Sequence, residues 1–325
     1  MDFDKRTVRT LSMLGTCGAY GMALCELAER REDIVAVTAD LKYYSGLERF
    51  AEAFPERFFN VGIAEQDLVG VAAGMASEGL RPFASTYATF ASMRCADQVR
   101  VSMGYMGLPV KLVGLTAGFS AGILGPTHMS IEDVAVMRAV PNMVVLSPAD
   151  GVETVKAVRA AADIDAPVYL RLGGVMGCPV VYDRDYSFEI GRAVKLRDGE
   201  DVLAVATGPA VASTLAAARS LESRGISCEV LDMHTVKPLD IEAVRRAAQG
   251  KQAIVVVEEH GVIGGLGSAI CEAFAQAPCP PIDIVGCSDA YPHANNYENL
   301  VALSGLSPQG IAERILKMVG GKSVA

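Results

Sequence analysis

The sequence has no C-x-x-C pair, no long apolar run and no surplus of positive charge. Each absence excludes something. The eight cysteines, at 17, 25, 95, 178, 228, 271, 279 and 287, never pair at close spacing, so they read as reduced packing residues of a cytoplasmic chain. No apolar stretch approaches the roughly 20 residues of a membrane helix, so no membrane partner is expected. The N-terminus, Met1-Asp2-Phe3-Asp4-Lys5-Arg6, is charged and lacks the apolar centre of a signal peptide. Lys plus Arg number 29 against 38 Asp plus Glu, a net charge of −9 that repels phosphate backbones and argues against nucleic acid. Tryptophan is absent and glycine is abundant at 32 residues. What remains is ordinary globular material, 51% apolar and 21% charged, which excludes disorder and a fibre. A length of 325 residues points to two domains.

Short apolar runs alternate with longer Ala-rich segments. Strands are expected at Ile34–Thr38, Pro82–Ser85, Val110–Leu115, Met143–Leu146 and Val168–Leu172. Helices are expected at Gly18–Arg30, Ala64–Ser77, Phe90–Met103, Ser130–Arg138 and Gly151–Ala162. Strands that are apolar throughout fit a parallel sheet covered by helices on both faces, the α/β class. The rhythm breaks in Gly173–Phe188 and then resumes, so the expected division is 1–175, a linker at 176–190, and a smaller α/β domain at 191–325.

Several motifs carry two readings. Gly321-Lys322-Ser323 resembles the end of a phosphate loop, but that loop needs a glycine where Leu316 stands, so it reads as a tail. The glycines of Gly261–Gly267 invite a dinucleotide site, but the third glycine would fall at Ile270; they more simply let a helix start close to the sheet. Gly118-Phe119-Ser120-Ala121-Gly122 matches the serine-hydrolase pattern with Ser120 as nucleophile, yet Gly125-Pro126 interrupts the helix that pattern needs. A ligand-binding loop at a strand end is the other reading. His128, before a helix expected from Ser130, is either a neutral imidazole for a hydroxyl or carbonyl, or a structural histidine. With Glu132 it makes half a metal site, and no third ligand is suggested. Glu65 opens an almost wholly apolar helix, which implies burial on most sides. It is a carboxylate at the mouth of a dry core, either serving the helix dipole or doing catalysis.

In order along the chain, Phe59-Asn60-Val61-Gly62-Ile63-Ala64-Glu65-Gln66, Ala84-Ser85-Thr86-Tyr87-Ala88-Thr89-Phe90, Gly125-Pro126-Thr127-His128, Pro141-Asn142-Met143 and Ser147-Pro148-Ala149-Asp150 resemble the pyrimidine-binding domain of transketolases. Val257-Glu258-Glu259-His260-Gly261, with Gly264-Gly265-Leu266-Gly267, resembles the family's C-terminal domain. The family's Gly-Asp-Gly signature, which holds the diphosphate of thiamine diphosphate through Mg²⁺, does not occur. The resemblance therefore implies the C-terminal subunit of a split transketolase. Its partner would be a separate N-terminal subunit that binds the Mg²⁺, in an α₂β₂ assembly. The implied reaction moves a two-carbon ketol unit from a ketose, expected to be phosphorylated, to an aldose.

The resemblance also assigns residues. It places Glu65 against the ring nitrogen of the aminopyrimidine, where a shared proton promotes loss of the thiazolium C2 proton. Tyr87 and Phe90 match aromatic contacts to that ring, and Asp40 resembles an acid near the thiazolium. His128 matches a histidine that handles sugar hydroxyls. Arg171 matches an arginine that grips the sugar phosphate, with a domain-boundary salt bridge as its plain alternative. Two positions depart from the family. Leu124 stands where an aspartate reads a donor hydroxyl, and Thr116 where a second histidine is expected; both imply a non-standard ketose. Rival readings are the β subunit of a 2-oxo acid dehydrogenase, a deoxyxylulose phosphate synthase-like enzyme, and a scaffold subunit that does not use Glu65. The Gly-Pro-Thr-His loop favours transketolase.

Overall fold

The computed structural model describes residues 1–320. Gly321-Lys322-Ser323 lies outside the described residues. Within them the strands are β1 (Ile34–Thr38), β2 (Phe58–Asn60), β3 (Arg81–Tyr87), β4 (Lys111–Ala117), β5 (Val144–Leu146), β6 (Val168–Gly173), β7 (Val194–Arg197), β8 (Val202–Thr207), β9 (Cys228–Asp232), β10 (Thr235–Lys237), β11 (Ala253–Gly261) and β12 (Ile282–Cys287). They form a seven-stranded sheet, ordered β10-β5-β6-β4-β3-β1-β2, and a five-stranded sheet, ordered β12-β11-β8-β9-β7. All pairings are parallel except β10 on β5 and β7 on β9.

Alternation along the strands explains the layers. Ile34, Ala36, Val113 and Leu170 point into a core shared with the helices Lys5–Arg30 and Gly151–Asp163. Their neighbours Val37, Leu112 and Tyr169 point into a second core, with Leu68, Val69 and Ala72 of the helix Glu65–Ser77. Successive side chains on a strand face opposite ways, so a sheet filled on both faces requires apolar residues at every position. A third core lies against the helices Ala210–Glu222 and Pro308–Met318 of the second sheet. The two sheets are interlocked: β10 comes from the second half of the chain but completes the edge of the first sheet, pairing Thr235 with Leu146. Residues 174–193 carry no helix or strand.

Several expected elements are corrected. Lys5–Arg30 runs longer than expected and is broken at Gly15, whose φ of 70° only glycine adopts freely and whose Cβ would lie 3.0 Å from the Val175 carbonyl. By length and composition it is the one candidate membrane span among the described residues, but half of its candidate stretch is buried, with Leu11, Tyr20 and Leu24 in the core. Phe90–Met103 is not a plain α-helix: Phe90–Arg94 and Val99–Tyr105 are π-helical. The helix expected at Ser130 starts at Asp133, because the Ser130 backbone pairs with Gly118 in a bridge. The helix from Glu65 buries one face, not most of its sides: Gln66, Gly70 and Gly74 are exposed.

The structure also explains the glycine-rich turn. Glu258 accepts the Leu266 and Gly267 backbone N–H groups at 2.7 and 2.8 Å. The chain's own carboxylate therefore caps the helix Leu266–Phe274, where a dinucleotide phosphate would sit. A Cβ at Gly265 would lie 2.0 Å from that carboxylate, so a side chain is excluded there.

Candidate active site

In the seven-stranded sheet, the chain passes from β1 to β2 on one side, then returns to β3 on the other. Such a reversal leaves a crevice at the carboxyl ends of the strands, where open α/β sheets bind ligands. Four expected site residues meet there. Tyr87 ends β3, Phe90 follows it, and His128 comes from the loop after β4. Ring centroids are 6.0 Å apart for Tyr87–Phe90, 5.7 Å for Tyr87–His128 and 5.4 Å for Phe90–His128, all edge-to-face. Glu65 stands at the first position of its helix, after β2, and is 2% exposed. Arg94 Nη1 donates to Glu65 Oε2 at 2.8 Å, and the Arg94 guanidinium lies 3.9 Å from the centroid of Phe90. The carboxylate and the aromatic wall thus form one connected group.

Asp40 closes β1 with a left-handed φ of 58° and faces solvent. Asn60, at the end of β2, fixes it: Asn60 Nδ2 donates to Asp40 Oδ1 at 2.9 Å, and Asn60 Oδ1 accepts the Asp40 and Gly62 N–H groups at 3.0 Å. One side chain therefore ties two strand ends to the turn that leads into Glu65. Tyr44, beyond Asp40, packs 6.1 Å from Tyr87. Burial, with Tyr44 and Cys17 nearby, holds the Tyr87 phenol above its ordinary pKa, so it stays neutral.

The 118–128 loop supplies polar and apolar groups. His128 Nδ1 lies 3.0 Å from the Thr127 hydroxyl. Leu124, in the 3₁₀ turn Gly122–Leu124, is 51% exposed. Thr116, near the end of β4, takes φ 50°, unusual for a β-branched residue, and its buried hydroxyl has no partner among the described residues. Ser120 donates to the Ala117 carbonyl at 2.7 Å. A 3₁₀ turn follows it rather than the helix of a nucleophile elbow, so the hydrolase reading has no geometry behind it.

Arg171 does not join the site. It is 2% exposed and pairs with Asp133, Nε to Oδ2 at 2.8 Å. Its Nη2 donates to the carbonyls of Ser130 and Glu259 at 3.2 and 2.9 Å. Burial opposes the Asp133 charge, but Arg171, His260 and the hydrogen bond from Tyr169 bring its pKa below the ordinary carboxylate value. The expected phosphate grip is thereby corrected to a domain-boundary ion pair, because every residue of β6 is buried. Sequence reasoning misses Arg94, Asn60 and Tyr44. Asn60 lies within a motif of the family resemblance, whereas Arg94 needs the π-helical register to reach Glu65.

The family model for the transketolase pyrimidine-binding domain matches residues 12–173, and that for the transketolase C-terminal domain matches residues 191–311. A 6-deoxy-6-sulfo-D-fructose transketolase subunit of Clostridium sp. (strain MSTE9) is 42% identical over 90% of this chain and 90% of its own. An apulose-4-phosphate transketolase subunit of Phocaeicola vulgatus is 38% identical over 95% of this chain and 98% of its own. A solved structure described as a split gene transketolase, inactive beta4 tetramer, shares 43% identity, covers 95% of this chain and 99% of its own, and superposes with a TM-score of 0.85. Matched nearly end to end by such subunits, the chain belongs to the transketolase family, as a transferase subunit that carries the pyrimidine-binding and C-terminal domains.

Proposed function

We propose that this chain is the C-terminal subunit of a thiamine diphosphate-dependent transketolase that moves a two-carbon ketol unit from a ketose to an aldose. The observation that carries the reading is the buried Glu65 carboxylate joined to the Phe90, Tyr87 and His128 rings at the strand reversal. This donor set fits an aminopyrimidine: a carboxylate screened from water suits a ring nitrogen, and aromatic rings suit a flat ring. When bound, thiamine diphosphate supplies the carbanion chemistry. Glu65 would hold the shared proton at the ring nitrogen. Tyr87 and Phe90 would orient the ring and exclude water. Asp40 would supply a carboxylate near the cofactor's cationic ring. His128, with Nδ1 engaged by Thr127, would have Nε2 left for a sugar hydroxyl.

The diphosphate and Mg²⁺ are assigned to a separate N-terminal subunit. No group of three His, Cys, Asp or Glu side chains is placed to hold a metal among the described residues, and Gly-Asp-Gly is absent from the sequence. The description of the similar beta4 tetramer as inactive supports this need for the other half. An α₂β₂ assembly is supported by the open face of the helix Glu65–Ser77, where a Cβ at Gly70 or Gly74 would meet nothing within 4 Å. Exposed Ile63, Tyr105 and Met106 add apolar surface for such contacts. The unpaired cysteines suit a reducing compartment, and we place the enzyme in the cytoplasm. Leu124 and Thr116 favour a non-standard ketose; the relatives named for a sulfonated deoxysugar and for apulose-4-phosphate support that reading.

The test is to purify the chain with a separate N-terminal transketolase subunit, then measure thiamine diphosphate binding and ketol transfer. Binding together with transfer is expected. A pair that binds no cofactor would overturn the proposal.

A further inference from the structure

Arg94 touches both halves of the pocket. It donates to Glu65 at 2.8 Å and lies 3.9 Å from the centroid of the Phe90 ring. The local backbone makes that reach. Phe90–Arg94 is π-helical, and i→i+5 hydrogen bonding brings residues four to five apart onto one face. Cys95 Sγ contacts the Phe90 and Ala91 carbonyls at 3.4 and 3.1 Å and pegs that wide turn. The two members of the ion pair differ in access: the Arg94 side chain is 41% exposed and that of Glu65 3%. The buried acid is thus neutralised by a side chain that can swing into solvent.

A guanidinium is flat, offers N–H donors in its plane and stacks on aromatic faces. An aminopyrimidine shares the flat shape and the in-plane N–H donors. With Glu65 and Phe90, Arg94 makes the two contacts that the proposed function gives to the cofactor's ring. We propose that Arg94 is an internal surrogate for the aminopyrimidine: it fills the Glu65–Phe90 site in the unloaded subunit and is displaced when the ring enters. This inference rests on the proposed function. Its physical basis is a competition. Without Arg94 the empty site holds a buried, uncompensated carboxylate, which is costly. With Arg94 in place, the open state is a minor population, and the apparent affinity for the ring falls by that fraction.

The test compares wild type, Arg94→Gln and Arg94→Ala. Each is assembled with the N-terminal subunit and titrated calorimetrically with thiamine diphosphate in Mg²⁺. Losing one charge-assisted hydrogen bond from the empty state should tighten cofactor binding about tenfold. Gln keeps much of the side-chain length, so it separates loss of the guanidinium from loss of packing. Each variant subunit alone should melt below wild type, and cofactor in the assembled pair should narrow that gap. In a Glu65→Ala background, which leaves Arg94 no acceptor there, Arg94→Gln should change affinity little. Unchanged or weaker binding by both variants, with normal binding by the wild-type pair, would overturn the surrogate role alone. No cofactor binding by the wild-type pair would overturn it together with the proposed function.

Discussion

The Arg171 guanidinium lies 2.8 Å from the Asp133 carboxylate, and neither side chain is more than 2% exposed. Tyr169 donates to the same Asp133 oxygen at 2.8 Å, and the Glu259 carbonyl accepts from Arg171 across the domain boundary. Removing one member of a buried pair leaves the other charge uncompensated, at a cost of about 3–5 kcal/mol. Arg171→Met should therefore lose that much stability in urea unfolding. A selective rise in KM for phosphorylated donors, with stability unchanged, would restore the phosphate-binding role.

Glu65→Gln should leave folding nearly intact, since the Gln carbonyl can still accept from Arg94. It cannot hold the shared proton. Turnover by the assembled pair should fall by about 10²–10⁴ or more, the range of general acid–base catalysis. Steady-state kinetics decide the matter: near-normal kcat in the variant would remove Glu65 from the mechanism.

Leu124 presents an apolar side chain, 51% exposed, on the loop that carries His128. A site that hydrogen-bonds a hydroxyl discriminates strongly, and an apolar replacement gives that up. Leu124→Asp should shift the ratio of kcat/KM for xylulose 5-phosphate over a deoxy or sulfonated ketose toward the former, by about tenfold. A wild-type enzyme that already prefers xylulose 5-phosphate, with the same ranking in the variant, would end the specificity argument.

Stability should also depend on pH through a buried acid pair beside the 174–193 segment. Tyr182 donates to Asp232 at 2.7 Å and Tyr186 to Glu153 at 2.6 Å, their rings stacked at 4.0 Å. Burial raises both carboxyl pKa values, Glu153 to about 7, and the Glu153 charge pushes Asp232 up further. The fold therefore keeps a proton that the unfolded chain releases near the ordinary value. This contribution is complete below that value and is lost as pH climbs through the raised folded value. Stability should fall between about pH 5 and about pH 8. In Asp232→Asn the amide can accept from Tyr182 and donate toward Glu153 without a titrating proton. Its melting profile should be flatter than wild type and higher at about pH 8; parallel profiles would contradict the pair.

Much of the fold was legible because burial on both faces demands continuous apolar runs. Ile34–Thr38 stands where its run places it. The short strands Phe58–Asn60 and Thr235–Lys237 have no period to read, and the second pairs antiparallel with a strand from the other half of the chain. Tyr87, Phe90 and His128 could be grouped because motifs of the family resemblance carry them. Arg94 could not, because periodicity does not distinguish an i→i+4 helix from an i→i+5 one. Arg171 misled because sequence spacing does not reveal that its strand is sealed on both faces. Thr116 shows the same limit: its left-handed φ of 50° is a product of the loop's path, invisible in a β-branched residue at a strand end.

The central claim is that this chain supplies only the pyrimidine side of a shared thiamine diphosphate site. The direct measurement is ketol transfer with thiamine diphosphate and Mg²⁺ by this subunit alone, by the N-terminal subunit alone, and by their mixture, with masses taken by light scattering. The account predicts no transfer from either chain alone, and full transfer from a mixture with the mass of two copies of each. Robust transfer by the purified single chain would contradict it, because no Gly-Asp-Gly exists in the sequence to hold the metal and diphosphate.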